Sequence, residues 1–286
     1  MKTISLLFIG ILLTSCVEKQ DAALNIRFNH EDKDKSLCDF VCSNLKTNIE
    51  LTKLKTEYHL DSLTHKTKSN VKKTLILLNW THSRWTHNGS NRPKNNSALG
   101  ILREAKKGKK FRCVEYGIVL SAALNSIGIP ARTLGLKTKN VETAKSGAGH
   151  VVTEAYIPEL RKWIFLDPQM NYIPFLDKIP LNAVEYQHAI VHHRTKIDLE
   201  NLNGKLNKKK SKSITDWISK YLFYFDVRFD LSGKKEKCNG KSKLMLVPIG
   251  EKNPEIFQIK HQINNCIYTN NIKDFYKPPK IINPKP

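Results

Sequence analysis

One block, residues 111–175, constrains the fold of this chain more than any other. Val114 to Ser126 (VEYGIVLSAALNS) reads as a strongly apolar helix, and Gly128-Ile129-Pro130 ends it. Ala131 to Leu136 then reads as a strand. A glycine-containing loop, SGAG, leads into His150 to Ile157, whose alternation fits another strand, and Pro158-Glu159 make a turn. Lys162 to Asp167 is the next strand, closed by Pro168. The order, a helix and then three strands, predicts antiparallel pairing with the sheet against the helix.

Three residues in this block have the types that nucleophilic catalysis requires. Cys113 immediately precedes the apolar helix, where unsatisfied N–H groups and the positive end of the dipole favour thiolate over thiol. His150 opens one strand and Asp167 closes the next. In an antiparallel hairpin those ends lie side by side, so thiol, imidazole and carboxylate are expected to converge at one edge.

The segments FRCVEYGIVLSAALNSIGIPAR, GAGHVVTEAY and KWIFLDPQ together resemble the transglutaminase-like superfamily, whose members share a papain-type fold. The resemblance extends over about residues 70–190. It implies an α+β chain with a helix packed on an antiparallel sheet, Cys113 as nucleophile, His150 as base and Asp167 as orienter. It also implies acyl transfer from a peptide or side-chain amide through a thioester, released by water or by an amine, with no cofactor and no metal. An oxyanion donor is usual in the family. The backbone N–H of Cys113 is one candidate, and the indole N–H of Trp80 or Trp85 are others, although both rings read more simply as core packing. The alternative from a different class is a papain-like lipoprotein of the cell envelope that binds without turnover.

The N-terminus addresses the compartment. Lys2 and the apolar run 4–13 form a leader too short to span a bilayer, and Leu13-Thr14-Ser15-Cys16 resembles the lipobox of bacterial lipoproteins. The expectation is a signal peptide over 1–15, an acylated Cys16 and attachment to a membrane of the cell envelope, facing the periplasm or the exterior. Five further cysteines remain, Cys38, Cys42, Cys113, Cys238 and Cys266, and an odd number leaves at least one free thiol in an oxidising compartment. The four flanking cysteines can form two disulfides in three ways, which isolates Cys113.

The remaining chain divides by composition. Residues 16–68 read as a polar tether and then one or two helices, with Leu37, Val41, Leu45, Ile49 and Leu51 at helical spacing. The core is expected over 69–200. It begins with an amphipathic helix over 69–86 and a short helix capped by Ser97. Residues 201–286 read as a basic linker, with too few apolar residues in LNGKLNKKKSKS to pack, and then a β-rich extension. The formal net charge of +22 is spread over lysine runs at 106–110, 208–212 and 234–237 and reads as solvated surface. No nucleic-acid-reading module is visible, so the expected partners are a peptide or protein substrate and a lipid bilayer, with no specific nucleic acid. His188 and His192 stand four apart, but no HExxH arrangement accompanies them.

Overall fold

A computed structural model describes residues 26–31, 38–43, 48–230 and 238–282. The leader, Cys16 and the lysines at 234–237 lie outside the described residues.

Where helix spacing was expected at Val41, the chain forms a short strand, β1 (Val41–Ser43). It pairs in parallel with β14 (Lys280–Ile282) from the other end of the chain, and that long-range pairing overrides local spacing. Helices α1 (Ile49–Glu57) and α2 (Leu60–Thr64) follow. Next come α3 (Asn70–His82), α4 (Ala98–Lys106) and α5 (Cys113–Ser126). The starts of α3 and α4 are set by serine caps: Ser69 and Ser97 side chains accept from Lys72 N and Gly100 N, at 3.3 Å and 3.1 Å.

Strands β2 (Ala131–Lys137), β3 (Gly149–Ile157) and β4 (Lys162–Leu166) form an antiparallel meander, as the order of helix and strands predicts. A smaller sheet is built from β5 (Ile173–Leu176), β6 (Ile179–Pro180), β7 (Ile197–Asn201) and β8 (Gly204–Lys205), with α6 (Ala183–His192) between β6 and β7.

The chain after 201 corrects the expectation of an unpacked linker. Lys208–Ser219 is a helix, α7, capped by Asn207, whose side chain accepts from Lys210 N at 2.8 Å. Ile214 and Ile218 are buried, so one apolar stripe packs while the lysines face water. Beyond it lie β9 (Tyr224–Arg228), β10 (Lys243–Leu246), the hairpin β11 (Ile256–Phe257) and β12 (His261–Gln262), β13 (Cys266–Thr269) and α8 (Ile272–Phe275). Strands β9, β10 and β13 continue the main sheet in the order β13-β10-β9-β2-β3-β4, so the sheet runs through the composition boundary at 200.

Both faces of this sheet are buried. Ala131, Ala155, Ile157, Ile164 and Leu166 pack with α3, α4 and α5. Leu134, Leu136, Val152 and Phe165 pack on the other side with α6 and α7. Helix α5 approaches very closely: a Cβ on Gly117 would sit 3.0 Å from Val151 Cγ1 and 3.2 Å from Val152 O, so glycine is what lets helix and strand meet there. Arg132 of β2 and Glu154 of β3 form a fully buried ion pair at 2.7 Å, and the Arg132 guanidinium stacks on Trp163 and Phe275, tying the C-terminal segment to the sheet.

Candidate active site

Cys113 is the first residue of α5. The helix begins there because Arg112 is extended, and Glu115 reaches back to accept from the Arg112 backbone N–H at 3.1 Å while pairing with its guanidinium at 2.5 Å. Glu115 is therefore a buried cap and does not line the cleft. Tyr116 is buried as well; its hydroxyl donates to the Trp85 carbonyl at 2.6 Å, which docks the segment before α4 onto the start of α5.

His150 and Asp167 meet at 2.9 Å, His150 Nε2 to Asp167 Oδ2, and both side chains are buried. They are not directly opposite each other. Thr153 pairs with Leu166, so continuing the register sets Asp167 against Val152, and His150 is the diagonal neighbour two residues on. The carboxylate is locked from its other side, because Oδ1 accepts from Gln169 N and Met170 N, both at 2.9 Å. That turn leaves only Oδ2 for the imidazole.

With Nε2 engaged by Asp167, Nδ1 is the ring nitrogen left free, and Cys113 lines the same cavity as the ring. Val151 faces α5, whereas His150 points toward the α7 side of the sheet, and the ring reaches Cys113 around the end of the sheet because both residues stand at the ends of their elements. Burial by itself pushes the imidazole toward the neutral form. The charge and hydrogen bond of Asp167, followed by those of Cys113, outweigh it and raise His150 to about 9. The site therefore favours an imidazolium at neutral pH.

Two aromatic side chains at this site were not among the residues picked out from sequence. Trp217 of α7 stands edge-on to the His150 ring with centroids 4.8 Å apart, and Tyr221 lies 5.9 Å away. The signal was present in the spacing of Ile214, Trp217, Ile218 and Tyr221, but the lysine run before it masked the amphipathic pattern.

The two indoles named as oxyanion candidates differ in place. Trp80 packs against Tyr58 and carries Arg84 over its ring at 5.1 Å, so it belongs to the helical layer. Trp85 lies on Tyr116 and Phe111, which flank Cys113 in sequence, at centroid distances of 4.4 Å and 5.8 Å. Its Nε1 is buried and has no partner among the described residues. Neither ring lines the cavity at Cys113. Just beyond Trp85, His87 is held below its ordinary range by burial and by the nearby charge of His150.

A cavity of about 460 Å3 opens at Cys113 and His150. Its floor is the part of the main sheet that α5 leaves uncovered, with Lys137 of β2, Asp226 and Arg228 of β9, and Lys243 of β10. Among the described residues no group of three or more His, Cys, Asp or Glu could hold a metal ion. His188 and His192 stack on each other at 4.3 Å on α6.

The expected pair of disulfides is corrected to one among the described residues. Cys38 and Cys238 are bonded, with Cα atoms 6.0 Å apart, whereas Cys42 and Cys266 are buried free thiols in different strands. Cys113 is free and half-buried.

Residues 58–168 match the family described as the Transglutaminase-like superfamily. A comparison with curated proteins returns no match. Among solved structures, a candidate cysteine protease from Cytophaga hutchinsonii is similar at 17% identity and a TM-score of 0.35, covering 44% of this chain and 40% of that one. A candidate protease from Parabacteroides distasonis is similar at 15% identity and a TM-score of 0.32, covering 57% and 28%. The periplasmic domain of TgpA from Pseudomonas aeruginosa, solved with ethylmercury, is similar at 20% identity and a TM-score of 0.31, covering 40% and 43%. The chain thus spans less than half the length of each of these structures.

Proposed function

Residues 58–168 belong to the transglutaminase-like superfamily, and from that premise we propose that the chain is a thiol enzyme cleaving a peptide or side-chain amide through a thioester on Cys113. The observation that carries this reading is the buried His150–Asp167 pair at 2.9 Å, with His150 and Cys113 lining one cavity.

In the first half-reaction the Cys113 thiolate adds to the amide carbonyl carbon, and the carbonyl oxygen takes the negative charge. The backbone N–H of Cys113, at the first turn of α5, is the candidate donor to that oxygen. Collapse breaks the C–N bond while the His150 imidazolium passes its proton to the leaving nitrogen. An amine departs, leaving a thioester and a neutral imidazole. In the second half-reaction water gives a proton to His150 and attacks the thioester, the thiolate leaves, and a carboxylic acid is released. An amine in place of water gives a new amide and a cross-link. Hydrolysis is the preferred outcome, since it needs only water at the half-exposed Cys113. Asp167 holds the ring in its tautomer and stabilises the imidazolium without itself reacting.

The leader and Cys16 support an extension of the proposal, an acylated protein tethered at a membrane of the cell envelope and acting on peptides or proteins there. Among the described residues no helix is long and apolar enough to cross a membrane.

The test is an acid-quenched incubation of the intact chain with a peptide-amide library, read by mass spectrometry. An acyl group on the Cys113 peptide, absent from Cys113→Ala and His150→Ala, is expected. Acylation at another residue, or equal acylation of Cys113→Ala, overturns the proposal.

A further inference from the structure

We propose that the cavity beside Cys113 binds an acidic portion of the substrate, with Arg228 and Lys243 as the groups that receive its carboxylate. This rests on the reading of Cys113 as nucleophile only in saying what is bound. The charge argument comes from the cavity itself.

The cavity floor carries three cations, Lys137, Arg228 and Lys243, against one carboxylate, Asp226. Asp226 is buried and takes both lysines, Lys137 on Oδ2 and Lys243 on Oδ1, the latter at 2.6 Å. Gly135 lies opposite Asp226 on β2, and a Cβ there would collide with Asp226 Oδ2, so the glycine is the space in which that carboxylate sits. The anion is thereby drawn down into the floor, and its charge is shared between two ammonium groups. Arg228 is left with no ion pair among the described residues, two residues from Asp226 on β9 and directly across from Lys243. No second acidic residue lines the cavity.

Arg228 is exposed, so its guanidinium is hydrated and accessible to an anion that enters the cavity. Here the walls include Val114, Ile118, Met245, Phe257 and Ile263. Low-dielectric walls around uncompensated positive charge concentrate the field within the recess, which raises the local concentration of anions. A guanidinium beside an ammonium is suited to a carboxylate, which it can grip with two parallel hydrogen bonds. The recess also continues. An adjoining cavity of about 230 Å3 shares Ile118, Thr133 and Arg228 with it, which places Arg228 at their junction; Glu50 and Asp230 line that second cavity, so the excess of positive charge lies in the recess beside Cys113. The class of substrate that fits is a peptide with an acidic side chain or free carboxylate close to the amide that is cleaved.

Two measurements test this. The first compares alkylation of Cys113 by iodoacetate and by iodoacetamide, reagents of similar size that differ in charge. The iodoacetate-to-iodoacetamide rate ratio should fall by about fivefold in Arg228→Gln and in Lys243→Gln, the scale of one partly exposed charge-assisted contact. Arg228→Gln leaves both lysine contacts of Asp226 in place, so it separates charge from folding. The second is a calorimetric titration of Cys113→Ala with glutamyl peptides and their glutaminyl counterparts. The acidic peptides should bind more tightly, and Arg228→Gln should remove the difference. A ratio unchanged in both variants, or equal binding of acidic and amide peptides, overturns the proposal. If Cys113 takes neither reagent, the thiol-enzyme reading fails on its own, and the titration alone decides for or against the pocket.

Discussion

The indole of Trp217 stands edge-on to the imidazole of His150, with ring centroids 4.8 Å apart. A helix contributed from beyond residue 207 thus closes one side of a site whose three polar members come from residues 113–167. Trp217 covers one side of the His150 ring, which is almost fully buried. Trp217→Ala should cost about 2 kcal/mol, roughly half the figure for a fully buried Trp, since the ring is half-buried. It should also lower kcat more than it raises KM, while Trp217→Phe restores most of the rate. Denaturant unfolding and steady-state kinetics on an amide substrate check both parts.

The pH dependence follows from the raised imidazole. His150 goes from an ordinary 6.5 to about 9, so its contribution to stability is present in full below about pH 6.5 and is lost as pH rises through about 9. Amide cleavage needs the imidazolium as acid, so kcat/KM should fall on the same alkaline limb. Asp167→Asn removes the charge that opposes burial, and the imidazole resonance should then titrate at lower pH by NMR, with the alkaline limb moving down beside it. An imidazole that titrates alike in both proteins would contradict the assignment.

Loss of the reacting groups should be graded. Cys113→Ala should abolish turnover, on the order of 10^6-fold, and Asp167→Asn should reduce it by about 10^4-fold, because an orienter does not form bonds. Single-turnover rates on the peptide amide found above are the measure. Equal losses would mean that Asp167 is needed to fold the site.

Gly135→Ala should destabilise the chain by about 1–3 kcal/mol, as overpacking at a filled site does, because Asp226 must move from its two lysines. Urea denaturation measures it. A neutral result would mean that the Asp226 carboxylate has room to rotate.

The thiols should react in a fixed order. Cys113 is half-buried, whereas burial pushes Cys42 up to about 12 and Cys266 up to about 11. Alkylation of the native protein should label Cys113 first, Cys42 and Cys266 after denaturation, and Cys38 and Cys238 after reduction. Reducing that disulfide should cost about 2–4 kcal/mol, since it joins segments 200 residues apart. Peptide mapping reads the order, and labelling of Cys38 without reductant would break it.

What the sequence alone determined is local. The strongly apolar run after Cys113 reads as a buried helix, the strands at 131–166 carry their alternation and turn residues, and Ser69 and Ser97 start helices by the caps that they provide. Cys113, His150 and Asp167 could be picked out as candidates because each stands at or next to the end of an element that short-range patterning defines. The tertiary structure decided what depends on partners distant in the chain. Val41 became a strand because Lys280 pairs with it, the lysine-rich 208–219 segment became a helix because Ile214 and Ile218 found a core to enter, and the diagonal offset of His150 from Asp167 came from a register that no spacing encodes. The charged cavity floor is the strongest case: Gly135, Asp226 and Lys243 are far apart in sequence and acquire their meaning when β2, β9 and β10 lie side by side. Periodicity reports only which face of an element is apolar, and the neighbour that the face meets is chosen by the burial and hydrogen bonding of the whole chain.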